Sequence, residues 1–483
     1  MPESTPSGFL ESRRPLLRLI VERLSTRYDY LSILGTDDSG VAYRTMRGET
    51  WAGEPMWVQR GFVVRAQKDG HIVEYAFNEL EGSDPKAAGA AAGALADRLA
   101  SRLAERLDAL LAAAKDATPY PTLPDEAAKA EHRGKVAVDA FATDPESCLS
   151  RLAAVRDKLL EAPGIVSATT RADFVRVSRC FVSPHRDLFQ TFDWAQAYVF
   201  GVSRRGEVAK TSYRAASGLL GLEVLDRLEA QVPELATELT ALLDAVRIEP
   251  GEYEVIMMPD MSGTLAHEAF GHGVELDMFV KKRAKAAEYF GKRVASPMVT
   301  MYDGAAGVEQ TGSFLFDDEG NLGTTTTVIK DGILVGGFSD ALSALALGMP
   351  ATGNGRRQAY DHKAYARMTN TYFASGTSTL EEMIASTKRG WLLDRLNSGM
   401  EDPRNWGIQL IALVGKEIVD GKLTGRVASP VYCSGYVPDV LCAIDMLSKD
   451  FELGGSGACG KGYKEFAKVS SGGPCVRTRM RLG

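Results

Sequence analysis

The chain of 483 residues is poor in the two side chains that most often build metal sites: it has six cysteines and six histidines. Six unevenly spaced cysteines in so long a chain exclude a disulfide scaffold and read as reduced thiols. A basic excess is missing too. Lys+Arg number 56 against 63 Asp+Glu, a formal net charge of -7, which offers no field for nucleic acid or an anionic membrane surface. No window approaches the ~18 uninterrupted apolar residues of a membrane-crossing helix. The runs LLGLEVL and LCAIDML are of core length. The N-terminal MPESTPSGFLESRRPLLRLI lacks both a continuous apolar segment and a small-residue cleavage site. No signal peptide is expected, and the expected compartment is the cytoplasm. Fixed-period repeats and low-complexity tails are absent as well.

What remains is ordinary globular composition, 45% hydrophobic and 25% charged. At roughly 100–200 residues per domain, two or three domains are expected. Glycine is uneven: 16 fall in residues 1–250 and 32 in 251–483. This predicts more helix in the first half, and more strands, tight turns and loops in the second. From about 16 to 33 an amphipathic helix runs into a strand. Residues 56–79 alternate around Asp69-Gly70, a strong hairpin signal. A helix is expected over 84–115, started by Asp84-Pro85, and PYPTLPDE (119–126) reads as a linker. Another helix spans 145–161, ended by Pro163-Gly164. Successive strands fill 164–216 and helix returns over 218–246. In the second half, YEVIMMP (253–259) is a buried strand. Ser262 is the expected N-cap of a helix over 263–272. Hairpins are expected at Asp331-Gly332 and Asp420-Gly421. Ser378 with Glu381 suggests a capping box, with Gly390 as the stop of that helix. The fold class is α+β. An N-terminal α+β domain over 1–250, with a possible sub-boundary near 117–135, mixes strands with long helices. A β-rich, Gly-rich C-terminal domain over 251–483 carries the candidate metal-binding helix.

One constellation carries chemistry: His267-Glu268-Ala269-Phe270-Gly271-His272. In the HExxH helix of zinc hydrolases the histidines are four apart and share one face. Here the spacing is five, which turns the second ring by roughly 140° on a regular helix of ~3.6 residues per turn. Both rings reach one metal if the helix takes up an extra residue as a π-bulge or unwinds between them. Gly271, next to the second histidine, lowers the cost of that distortion. A hydrolytic zinc needs a third protein ligand and an open position. Glu275, Asp277, His362 and a cysteine of the C-terminal region are the candidates. Glu268 lies beside a ligand, in the place of a general base for a metal-activated water. Surface His/Glu pairs on helices are common, so context matters. The motif follows a buried strand, adjoins a glycine, and its flank MSGTLAHEAFGHGVELD is apolar on one side.

Several segments together resemble the TldD/PmbA family of metalloproteases: LAHEAFGHGVELD (265–277), GSFLFDDEG (312–320), TGNGRR (352–357), RMTNTYFASG (367–376) and CGKG (459–462) ahead of a Gly-Gly-Pro. In the N-terminal half only the layout is similar, GFVVRAQKDG fitting an early hairpin. The pattern is closest to the TldD-type subunit, which keeps the histidines that the PmbA (TldE) type typically lacks. The resemblance implies a two-part α+β chain with zinc in the C-terminal part. It makes His267 and His272 the histidine ligands, Cys459 the third ligand and Glu268 the catalytic glutamate. It also implies a peptidase acting on unstructured peptides, as a homodimer or paired with a PmbA-type subunit. An extended substrate would add as a strand to a sheet edge beside the metal. One departure stands out. The family segment continues from CGK to Gly-Gln, whereas this chain reads CGKGYKEF, which bears on the lining near Cys459.

Other polar residues have plainer readings. Asp317, Asp318 and Glu319 are expected as an exposed acidic turn. Arg356, Arg357 and Arg367 either hold a substrate carboxylate or a partner subunit, or pair with the acidic turns. Cys433 and Cys442 read as core thiols, and Cys475 is the runner-up third ligand. His71, His132 and His185 read as surface or satisfied histidines. Besides the peptidase, two alternatives use the same histidines. One is a non-haem iron centre completed by Glu275 or Asp277. The other is a non-catalytic module that binds peptides or a partner.

Overall fold

The computed structural model describes residues 1–80, 90–461 and 464–483. The expected helix start at Asp84-Pro85 lies outside the described residues. The first half opens with α1 (Gly8–Leu24), which Ser7 caps by accepting from Leu10 N. It leads into β1 (Tyr30–Met46), followed by β2 (Glu49–Gly53), β3 (Gln59–Lys68) and β4 (His71–Phe77). Asp69 and Gly70 turn the β3–β4 hairpin with φ of 50° and 80°, the left-handed pair that a two-residue turn requires. Next come α2 (Ala90–Ala113), β5 (Ala128–Arg133) and α3 (Pro145–Leu160), the last capped by Asp144. Three long strands follow: β6 (Ile165–Val182), β7 (Arg186–Arg205) and β8 (Val208–Gly218). Then come α4 (Val224–Glu229) and α5 (Val232–Leu242).

These strands form one eight-stranded sheet in the order β4-β3-β1-β6-β7-β5, with β2 beside β1 and β8 beside β7. Period-two alternation divides its faces. Ile33, Phe62, Cys180 and Phe189 pack under α1 and α2, and Phe174, Ala197 and Val199 under α3 to α5. Their strand neighbours Leu34, Val63, Phe181 and Leu188 point the other way and close around Phe316 of the second half. Helices therefore cover one face and the second half covers the other. The 119–126 segment is held to this sheet rather than left as a free linker. Tyr120 N donates to Gly70 O, Leu123 N donates to Gln67, and β5 pairs with β7. Helix is concentrated in the first half as glycine predicts, but strand is not. The longest strands, of 18 and 20 residues, are β6 and β7. Glycine records turns and close approaches, and long strands need few of either.

The second half begins with β9 (Gly251–Met257), which feeds α6 (Pro259–Ala266). β9 pairs with Arg389–Glu401 on one side and Val476–Leu482 on the other. From there the order runs through Val431–Tyr436 to Gly407–Val419, which pairs back with Arg389–Glu401 and closes the ring. A second sheet of six strands includes Met301–Gly304, Asn370–Phe373 and Ser470–Gly473. Asp331-Gly332 and Asp420-Gly421 turn the two expected hairpins, with φ of 48°/79° and 47°/75°. Three local expectations shift. Pro259 at the first turn starts α6, so Ser262 lies inside the helix and donates to Pro474 O at 2.7 Å. The capping box is Thr379 with Glu382, one residue later than expected. Gly390 lies in strand Arg389–Glu401, after Ser386 has ended the helix.

The acidic turn is the largest correction. Asp317, Asp318 and Glu319 are 1%, 4% and 5% exposed. They sit between the halves and take the charges of the first sheet: Arg65 reaches Glu319 at 2.6 Å, and Arg179 bonds Asp318. Arg357 reaches back to Glu74 of β4. Three consecutive acids read as a solvated turn, but the partners that bury them lie far away in sequence.

Candidate metal centre

α6 leaves β9 through Pro259 and runs against the strand Ser470–Gly473. A side chain at Gly263 would collide with the backbone of Gly472, so two glycines let this helix and strand touch. The α-helical pattern stops at Ala266. His267–Gly271 is a π-helical turn, closed by His272 N–H donating to His267 O, and a 3-10 turn covers His272–Val274. The wider turn absorbs the extra residue of the five-residue spacing. The two imidazoles stand 5.0 Å apart, nearly perpendicular at 85°. Gly271 has an ordinary helical φ of −68°. Its smallness is needed for another reason, since a Cβ there would overlap the Sδ of buried Met368.

Cys459 arrives from the opposite end of the second half, on a short hairpin in which it pairs with Ala467. Its Sγ is 3.4 Å from His272 Nε2. Ligand atoms of His267, His272 and Cys459 all lie within 4.8 Å of one another, and all three residues are buried. Among the described residues no other group of three His, Cys, Asp or Glu converges in this way. Two imidazoles and a thiol form a donor set that suits zinc. Burial pushes the His267 imidazole below its ordinary pKa against the pull of Glu268 and Glu275, which keeps the ring in its ligating neutral form. Burial also opposes the Cys459 thiolate, but His272 and Arg367 outweigh it, and the thiol falls below its usual range. Glu268, half-buried, follows His267 directly on the π-turn, and a side chain at Gly399 would meet its Cγ at 3.3 Å.

The remaining candidates fall elsewhere. Glu275 is fully buried behind His272, its Oε2 3.5 Å from Nδ1, the nitrogen turned away from Cys459. It orients a ring, as outer-shell carboxylates do at metal sites. Asp277 faces Lys281 at 3.2 Å, and His362 faces Asp361 at 3.7 Å. Cys475 packs with Met258, Ile256 and Leu392 in a separate core cluster, and burial pushes its thiol up to about 11. Cys433 is buried as expected, while Cys442 is exposed.

The structure adds a support that the motif alone does not show. Arg367, 2% exposed, donates to Cys459 Sγ at 3.0 Å and to Cys459 O at 2.8 Å, and stands 3.3 Å from Glu275. One guanidinium thus ties the cysteine to the carboxylate behind His272. Arg367 is held in turn by Asn354, whose Nδ2 donates to Arg367 O at 3.0 Å and to Asp303 Oδ1 at 2.8 Å. Fully buried Asp303 also accepts from Thr369 N, Thr369 Oγ1 and Thr371 Oγ1. The TGNGRR and RMTNTYF segments therefore brace the His267–His272–Cys459 cluster. No local signal marks Asp303 in the sequence.

Residues 250–481 match the family model described as the PmbA/TldA metallopeptidase C-terminal domain. A metalloprotease of Methanocaldococcus jannaschii is 35% identical over 237 residues, which cover 49% of this chain and 52% of that protein. A zinc metalloprotease TldD homolog of Saccharolobus solfataricus is 28% identical over 307 residues, 63% of this chain and 68% of that protein. The chain spans about half the length of the first of these relatives. TldE from Thermococcus kodakarensis superposes with a TM-score of 0.75 over 97% of this chain and 100% of that one, and at 18% identity the likeness is one of fold. Residues 250–481 thus carry the PmbA/TldA metallopeptidase C-terminal domain, and through it this half of the chain belongs with the TldD/PmbA metalloproteases.

Proposed function

We propose that this chain is a zinc-dependent peptidase that hydrolyses unstructured or extended peptides. The observation that carries the reading is the convergence of His267, His272 and Cys459, brought about by a π-turn and a distant hairpin. These three side chains would hold the metal. Zinc bound there supplies Lewis-acid chemistry, making a water acidic near neutral pH and polarising a peptide carbonyl. Glu268 takes the proton of the attacking water on its carboxylate and delivers it to the leaving amine. Glu275 and Arg367 position His272 and Cys459. The burial of the donor set limits access to chains that can unfold into the site. The chain works as a homodimer or beside a PmbA-type subunit, in keeping with the TldE-like fold. Six unpaired cysteines favour a reducing compartment, the cytoplasm.

The test is metal analysis together with digestion of casein or an unfolded peptide. One zinc per chain is expected in the wild type and in Cys475→Ala, with none retained in His267→Ala or Cys459→Ala. Glu268→Ala keeps the metal and loses hydrolysis. Zinc retained in Cys459→Ala, or full hydrolysis by Glu268→Ala, overturns the reading.

A further inference from the structure

The convergence of the two imidazoles depends on the π-turn, and something must select that turn. Such turns are rare inside helices. On a regular α-helix the five-residue spacing points the rings about 140° apart. The bond from His272 N–H to His267 O closes the turn, but an α-helical bond is the ordinary alternative. The choice falls to packing. Gly271 lies against the Sδ of Met368, the neighbour of Arg367. Phe270, fully buried in the same turn, meets the ring of Trp406 with centroids 5.7 Å apart and planes tilted by 55°.

Trp406 is held under strain. It has the largest fully buried side chain among the described residues, yet its backbone is left-handed, with φ of 60°. Bulky residues rarely adopt that region. Its indole Nε1 has no hydrogen-bond partner among the described residues, whereas a buried tryptophan N–H usually finds one. Both features cost stability, and backbone strain of this kind persists only where the surroundings over-determine it.

The surroundings do so here. Trp406 ends the loop that joins Arg389–Glu401 to Gly407–Val419. Its N–H donates to Asp402 O at 2.7 Å, and its carbonyl accepts from Val437 N at 2.8 Å. The Asp402 carboxylate accepts from Arg404 N at 3.0 Å and from Asn405 Nδ2 at 2.6 Å, which stiffens the loop. Two more rings bear on the indole: Tyr289 at 4.6 Å and Tyr436 at 6.1 Å between centroids. Lys285 Nζ stands 5.2 Å from both the Trp406 and Tyr436 rings and donates to the Tyr436 hydroxyl at 2.9 Å. The indole is thus a fixed surface, and Phe270 is what it presents to the π-turn.

We propose that Trp406 is a positioning residue of the candidate metal centre: through Phe270 it holds His267–Gly271 in the π-turn that aims both imidazoles at one ion. The inference rests on the metal reading of His267, His272 and Cys459. Trp406 itself acts on neither the ion nor the peptide.

The test is titration of the full chain with cobalt and with zinc. Visible d–d bands report the coordination of cobalt, and competition with a chelator reads the zinc affinity. The chains are the wild type, Trp406→Leu, Trp406→Phe, Phe270→Leu and Trp391→Leu. Trp391 is another buried tryptophan of the same core, so its replacement controls for lost packing alone. Trp406→Leu and Phe270→Leu are each expected to weaken zinc about tenfold or more and to diminish the four-coordinate cobalt bands. Trp406→Phe, which keeps a ring against Phe270, should recover most of both. Trp391→Leu should stay within about twofold of wild type. Joining Trp406→Leu to Phe270→Leu should cost little more than either alone, since both break one contact. Affinity and bands unchanged in either leucine variant overturn the proposal, and so does a loss in Trp391→Leu as large as in Trp406→Leu. If Trp406→Leu does not fold, Phe270→Leu decides from the other side of the contact. A wild type that binds neither ion overturns the metal reading and this inference with it. A wild type that binds both, with indifferent variants, overturns the positioning role alone.

Discussion

Replacing Asp303 is the most telling test of the brace behind the candidate metal centre. Its carboxylate accepts four bonds: from Asn354 Nδ2 at 2.8 Å, Thr369 N at 3.1 Å, Thr369 Oγ1 at 3.0 Å and Thr371 Oγ1 at 2.7 Å. Asn354, Thr369 and Thr371 are 1%, 0% and 0% exposed, so water cannot replace the lost acceptor. A bond to a charged acceptor contributes about 1.5–3 kcal/mol, and a buried orphan costs about 1–3 kcal/mol. The two hydroxyls can turn to other acceptors, but the Thr369 amide cannot. We therefore expect Asp303→Ala to destabilise by about 4–6 kcal/mol, close to the whole stability of many domains. Asp303→Asn keeps the shape and one acceptor oxygen, and should cost about 2–3 kcal/mol. Urea unfolding of the metal-free chain reads both numbers, and zinc titration reads the consequence at Arg367 and Cys459. If Asp303→Ala unfolds within 1 kcal/mol of wild type, the brace is not what holds these strands together.

Three further outcomes follow from the geometry. Gly271→Ala should lose about 1–3 kcal/mol by overpacking against Met368, and Met368→Ala in the same chain should recover much of it, as a double-mutant cycle would show; no coupling would place the strain elsewhere. Glu275→Ala removes the carboxylate behind His272 and should weaken zinc binding by about 10–100-fold, measured by competition with a chelator; unchanged affinity would dismiss its orienting role. Burial raises the Glu74 carboxyl, but Arg65 and Arg357 outweigh it and hold it at about 2. A depressed acid stabilises the fold above its unfolded value near 4.5 and loses that contribution as pH falls from there to about 2. This amounts to about 3 kcal/mol that Glu74→Gln should remove from the pH dependence of urea unfolding. The Asp317 carboxyl, raised by burial and by Glu319 beside it, works in the opposite sense and weakens the fold as pH rises. An acid limb identical in wild type and Glu74→Gln would refute the assignment.

Local rules made part of this molecule legible. The three Asp-Gly turns appear where the sequence puts them, because left-handed backbone at two successive residues leaves few choices. The five-residue histidine spacing demanded a π-turn or unwinding, and the chain contains the π-turn. Resemblance, not spacing, singled out Cys459 over Cys475. What the sequence hid depended on distant partners. Asp317 to Glu319 look like a solvated turn until Arg65 and Arg179 are brought to them. Arg367 reads as a residue for a substrate carboxylate, a partner subunit or an acidic turn until the hairpin of Cys459 closes over it. The capping box slipped by one residue because Ser378 and Thr379 are both competent caps, and the choice is made by how the preceding strand arrives.

The place of the strand Val476–Leu482 has a consequence for how the protein is made. It lies between β9 and Val431–Tyr436, so the ring that begins at Gly251 cannot close before these residues exist. At ~5–20 residues per second, a ribosome leaves β9 waiting roughly 10–45 s for its partner. Throughout that interval the apolar YEVIMM edge is an unpaired template for other chains. The histidine pair is also synthesised long before its cysteine. A nascent chain that captured a metal early would do so with an unfinished donor set, and a holdase that covers β9 would guard against both hazards.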